Sequence, residues 1–405
     1  MVDQINTKNI LKKIKTIKLL PFIILLKTSL AQVNIGDWDA LTCPLDVRDI
    51  VQIGDTSYCA TGGGIMLYNN GDSEIYTTVD GIYKIDILSI SNDSYNNLWI
   101  GGKSPNGFVQ IFNIVSGNID IFDYGLTEIT NFWISDSIAF ASFIDGQDLG
   151  LIKWVYVDGK WSYRDIYRNF LIELGSINGI AVIKNSIFLA TNNGLLTIDI
   201  SSNLKDPNNW SLDFNGLINT MCEIDSGIVF NQDNSLYRIF FNNLNFQYEQ
   251  LDIQIPVSFK KIIFDKNGYL WGINGSSVYS EKTNFNAISI RSSLNNLILN
   301  NEGNIIIGSE LGMRIIDIDS FELNSYIPNA PATARFSSIK VLDDGRLVGA
   351  SSKGLSIKDF DGWRNILEIE NEDTEVINPV YNYKSFVADT IGYDFGVIVT
   401  DIEQG

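Results

Sequence analysis

The 405-residue chain contains no histidine. That absence removes Ser-His-Asp and Cys-His nucleophilic catalysis, His-ligated zinc and His-based lyase chemistry. Three cysteines remain, Cys43, Cys59 and Cys222. A three-thiolate metal site would need all of them to converge from distant segments. Cys43 and Cys59 are close enough to meet across adjacent strands. They would do so either as a bridge or as two free thiols, because Cys59 stands in "SYCATGGG" where an apolar core residue belongs. Carboxylate pairs offer glycosidase-type acid and base chemistry, but with 48 acidic residues proximity by chance is expected. "GGKSPNG" (101–107) has Gly, Lys and Ser without the phosphate-loop spacing, and it sits in a hairpin rather than before a helix. "DKNG" (265–268) and "DNS" (233–235) lack the ligand series of a calcium loop and read as turns. No catalytic, cofactor-binding or metal-ligating residue is assigned. The candidates for ligand or partner contact are in two long turns: Lys103, Ser104 and Asn106 in "KSPNG", and Asp145, Gln147 and Asp148 in "FIDGQDLG".

Those turns belong to a repeated unit. "LATNNGLLTIDI" (189–200) is an apolar strand, a polar Gly turn and a second alternating strand, which is hairpin chemistry. Relatives of it recur along the chain, each with a small or polar residue at one marker position: Ala60, Gly101, Ala141, Ala190, Asn231, Gly272, Gly308, Ala350 and Ala388. The spacings are 41, 40, 49, 41, 41, 36, 42 and 38 residues, with a mean of 41. Each unit carries four strand signals. An inner strand such as "INGIAVI" leads through a tight turn into the hairpin, and an outer strand follows. A period near 40–45 residues with four strands is the signature of propeller blades. A sandwich does not repeat one unit nine times, and β-helix coils are shorter. The expected fold is therefore all-β, a propeller of about 41-residue blades with a seven- or eight-bladed ring. The ninth marker implies an imperfect extra repeat or a run into a second propeller. Trp38, Trp161, Trp210 and Trp363 mark outer strands and are expected to pack between blades. Trp99 and Trp271 fall in core strands. "GDWDALT" (36–42) fits an outer-strand slot. The last residues look like an inner strand and a hairpin with no outer strand, as in a fragment ending within a blade.

The N-terminus differs in kind. Lys12, Lys13, Lys15 and Lys18 precede the apolar run Leu19–Leu26, and small residues follow to Ala31. This reads as a secretory signal peptide over 1–31, cut before Gln32. The apolar run falls far below the roughly 20 residues that span a bilayer, and no later segment qualifies. The propeller repeats then occupy 32–405. The whole chain has 29 basic and 48 acidic groups. Removing six Lys and one Asp with the signal leaves 23 against 47, a net charge of −24. Such a surface repels phosphate backbones, so nucleic acid is excluded as a partner.

Behind the signal, "IGDWDALTCPLDVRDIVQIGDTSYCATGGGIMLYN" (35–69) resembles the opening of the N-terminal propeller in the PorZ-like components of the type IX secretion system. "DGIYKIDILSI" (80–90), "YGLTEITNFWI" (124–134) and "NGLINTMCEI" (215–224) are similar to the Gly-Leu links of periplasmic propellers in hybrid two-component sensors. The resemblance to the first family implies an exported, non-catalytic scaffold at the periplasm or cell surface of a Gram-negative-type bacterium. Such a scaffold binds protein partners, takes part in attaching cargo to a surface glycan, and needs no cofactor. It also implies further blades and a C-terminal β-domain. The alternatives are a glycan- or small-ligand-sensing receptor propeller and a carboxylate-based carbohydrate-active enzyme.

Overall fold

The computed structural model describes residues 40–366, apart from 104, 226, 243 and 244, together with the backbone of strands between 369 and 404. Local turn chemistry builds each repeat. In "LATNNGLLTIDI", Thr191 pairs with Gly194 at the hairpin end, and the Thr191 hydroxyl donates to the Gly194 carbonyl at 2.7 Å. The same device recurs where Thr61 donates to Gly64, Ser309 to Gly312 and Ser351 to Gly354. The turn between the first two strands of a unit uses aspartate. In "DKNGYLW", the Asp265 carboxylate accepts from the backbone N–H of Asn267 (2.8 Å) and Tyr269 (3.0 Å) and from the buried Trp271 indole (3.1 Å). "DKNG" is thus a turn whose carboxylate also satisfies a core tryptophan. Asp93 repeats this for Tyr95, Asn97 and Trp99, and it also accepts from Trp161 of the next repeat at 2.7 Å.

Eight four-stranded sheets result, each with its strands paired antiparallel in chain order. They span residues 47–76, 87–126, 128–167, 177–215, 218–250, 261–289, 294–326 and 338–366, and are called blades 1 to 7 and the eighth sheet. The ring closes at seven. The inner strand of blade 1 (Val47–Ile53) lies beside the inner strand of blade 2 (Ile87–Asn92) on one side and that of blade 7 (Leu294–Leu299) on the other. Each of the seven seams has its own apolar cluster. The closing one joins Val47, Ile50, Cys59 and Met66 of blade 1 to Ile306 and Met313 of blade 7. The other six link successive blades in order. The Gly312 N–H also donates to the Leu45 carbonyl at 2.6 Å.

The marker positions sit where blades converge. A Cβ at Gly308 would lie 2.8 Å from the Val47 carbonyl oxygen, and one at Gly101 would lie 2.3 Å from the Ser89 hydroxyl. Small residues at these positions let neighbouring inner strands approach. In blade 3 the residue paired beside the inner-strand bulge is Ser142, opposite Asn131, as Gly101 is opposite Ser89 in blade 2, so the marker is Ser142 rather than its neighbour Ala141. The seventh seam decides the blade count between the two expected values, and the eighth sheet follows the closed ring in sequence. The ninth marker, Ala388, is on a two-stranded hairpin (Tyr381–Ile391 with Asp394–Gln404) rather than in a four-stranded sheet.

The tryptophans pack largely as their positions imply. Trp99, Trp154 and Trp271 are fully buried, and Trp161 and Trp210 nearly so. Trp363 of the eighth sheet is half-buried, and Trp38 lies outside the described residues. The three cysteines are free thiols, and Cys59 is held 3.2 Å from the Met313 sulfur across the closing seam. No helix among the described residues is long and apolar enough to cross a membrane.

Candidate binding face

The turns between the second and third strands lie on the same face of the ring as the links that carry the outer strand of one blade to the inner strand of the next. The six sequence candidates belong to two of these turns, in blades 2 and 3. Ser104 lies outside the described residues. The Lys103 N–H donates to the Asp86 carbonyl (3.0 Å). The Asn106 carbonyl accepts from Lys84 Nζ (3.4 Å), which also pairs with Asp123 at 3.0 Å. That hydrogen bond from Lys84 holds the Asp123 carboxyl below its usual pKa. In the second turn, Arg168 takes both carboxylates. It sits 2.8 Å from Asp145 and 3.9 Å from Asp148, with its guanidinium 4.8 Å above the Phe143 ring. Gln147 is exposed. Each turn is therefore tied into its own blade or link. No hydrogen bond or ion pair among the described residues joins the two turns into one site.

Sequence reasoning missed the belt that does join the blades. Near the start of each inner strand, a side chain donates to the next blade. Arg48 reaches the Ile87 carbonyl (2.9 Å), Ser89 reaches Ile129 (3.0 Å) and Asn131 reaches Ile177 (3.2 Å). Asn178 reaches Ile218 (2.7 Å), and Asn219 reaches the Ser258 hydroxyl. Lys260 reaches Leu294 (2.9 Å), and Asn295 reaches Val47 (3.0 Å), which returns to blade 1. Most of these inner strands carry a bulge at this point. A bulge re-aims one side chain out of the alternation. The signal was present in the polar pair that follows the first apolar residue, as in "VRD", "ITN", "INT" and "LNN", but turn chemistry masked it.

Three basic side chains on this face, Arg48, Lys84 and Arg168, stand in ion pairs. Arg48 stands between Asp46 (2.7 Å) and Asp86 (2.5 Å). Asp49 accepts from the Ile90 N–H (2.9 Å), the Ile50 N–H (3.0 Å) and the Asn296 amide, and burial pushes its pKa up. Among the described residues no three of the metal-ligating types gather into a site. The arrangement holds the blades in register and leaves a polar rim.

Among solved structures, the chain is similar to PorZ of Porphyromonas gingivalis, described as an essential bacterial surface component of its type IX secretion system. The TM-score is 0.60 at 15% identity, over 82% of this chain and 46% of PorZ. The fold is PorZ-like. The extracellular domain of BT3049, a hybrid two component system from B. thetaiotaomicron, is also similar, with a TM-score of 0.51 at 11% identity over 84% of this chain and 50% of that one. The chain thus spans about half the length of each. No protein-family model and no curated protein matches it. At these identities the likeness defines the fold, and the belt above shows how this sequence closes its version.

Proposed function

We propose that the chain is an exported, non-catalytic propeller that acts as a protein-interaction scaffold at the cell envelope, in type IX secretion and cargo attachment. The PorZ-like fold carries this reading. A polar rim on which Arg48, Lys84 and Arg168 are already paired with acids supports binding rather than turnover. Residues 1–31 serve as the signal, removed before Gln32. Lys103, Ser104, Asn106, Asp145, Gln147 and Asp148 are the proposed contacts, presented by turns that their own blades hold in place.

The test is a chromosomal deletion with envelope fractionation. The scaffold reading expects the mature protein in the envelope fraction with Gln32 at its N-terminus. It also expects cargo that is no longer attached at the surface in the deletion strain, and secretion components recovered with the protein after cross-linking. Cytoplasmic retention, or cargo attachment unchanged by the deletion, would overturn it. The similarity to the BT3049 extracellular domain favours a second reading, a ligand-sensing receptor propeller. That reading expects a membrane helix and a kinase module in the same reading frame.

A further inference from the structure

The ring face opposite the candidate turns carries a cleft of about 410 Å³ between blades 4 and 5, within the size range of small-molecule sites. Val182, Ile183 and Ile224 supply apolar wall. Lys184, Glu223, Asp225 and Phe241 supply the chemistry. Glu223 is fixed from two directions, because one of its carboxylate oxygens accepts from the Trp133 indole of blade 3 (2.7 Å) and from the Val182 N–H (3.4 Å). Trp133 therefore reaches past blade 4 to set a carboxylate of blade 5. Its second oxygen, the Asp225 carboxylate and the Lys184 amine make no hydrogen bond or ion pair within the described residues. Phe241 is 38% exposed, with Lys184 Nζ 5.9 Å from its ring centre.

Two carboxylates, one amine and an apolar, aromatic wall define a ligand by complementarity. It carries two positive groups, one negative group and a short aliphatic stem. We propose that this cleft binds a free basic α-amino acid of the arginine or lysine type. The ligand α-carboxylate pairs with Lys184, its two cationic groups pair with Glu223 and Asp225, and its methylene stem lies along Ile183, Ile224 and the Phe241 ring. Charge-assisted pairs of this kind are the stronger hydrogen bonds. The acidic chain, with a net charge of −19, draws cations and repels anions. This site is independent of the scaffold reading and lies on the other face.

Calorimetric titration of the whole protein with L-arginine and L-lysine at low salt tests it, with agmatine, L-citrulline and glucosamine as controls. Saturable binding of arginine or lysine is expected. Agmatine lacks the carboxylate and citrulline lacks the second charge, so each should bind roughly tenfold more weakly, the equivalent of one charge-assisted hydrogen bond. Glu223→Gln keeps an oxygen for Trp133 and Val182, and Lys184→Gln lies on an exposed turn. Each should cost about tenfold in affinity with thermal unfolding unchanged. No binding at millimolar arginine and lysine, equal binding of agmatine, preference for glucosamine, or variants that bind as the wild type does would overturn the proposal.

Discussion

The aspartates of the first turns show how one side chain can serve both turn and core. Asp93 and Asp265 each satisfy turn N–H groups and a buried indole at once. Removing the carboxylate strands a donor out of reach of water. Asp265→Ala should therefore lower stability by about 1–3 kcal/mol, read as a lower urea midpoint at constant m-value. An unchanged midpoint would mean the indole finds another partner. Asp49 makes stability depend on pH. Burial raises its folded-state pKa, so above the ordinary aspartate value of about 4 the folded state holds its proton more tightly than the unfolded chain. Stability then falls as pH rises through that window. Asp49→Asn should flatten this part of the stability–pH curve, and an identical slope in the variant would contradict the assignment. Burial likewise raises the thiol of Cys43 and that of Cys59, and pushes Cys222 up to about 11. Thiolate is the reactive form. A thiol reagent at neutral pH should label the folded protein slowly, Cys59 least, and count three thiols after denaturation. Fast native labelling of Cys59 would contradict the closing seam that covers it.

At the scale of elements, the blade was legible and its joints were not. The hairpin turns, the small marker residues and the outer-strand tryptophans are local features with local causes, so spacing alone placed most of them. The marker in blade 3 is Ser142 rather than Ala141, because two adjacent small residues stand there and composition does not choose between them. The candidate turns were also placed on the right elements, yet Arg168 binds both Asp145 and Asp148 from some twenty residues away, which spacing could not reveal. The inter-blade belt joins residues about forty positions apart, and 248 apart where Asn295 meets Val47, while the Trp133–Glu223 bond joins residues ninety apart. Two substitutions test these joints by unfolding. Asn178→Ala deletes one belt donor and should cost about 1 kcal/mol. Gly308→Ala drives a methyl against the Val47 backbone and should cost about 1–3 kcal/mol. Wild-type stability in both would mean that the blades are held by their apolar seams alone.

For the whole molecule, the sequence period allowed seven or eight blades, and the seventh seam decided. Closure depends on contacts between the two ends of the ring: Asn295 with Asp46 and Val47, Asn296 with Asp49, and Cys59 with Met313. Repeat counting cannot see these, since every blade carries similar strands and any two faces look able to meet. The eighth sheet leaves Ile339 and Val341 of its inner strand exposed, whereas the ring blades pack their inner strands against neighbours. The closed ring is also what gives the candidate face and the opposite cleft fixed positions, so both functional readings depend on it. It is tested most directly by cross-linking. In a background with all three native cysteines changed to serine, Asp46→Cys with Asn295→Cys places two thiols where the side chains now lie 3.1 Å apart. Oxidation, or a short bifunctional maleimide, should join them in the folded monomer and shift its mobility on a non-reducing gel. The Asp46→Cys and Asn295→Cys single variants should show no shift. A folded double variant that does not cross-link would mean that blade 1 does not meet blade 7, and the seven-bladed ring would be wrong.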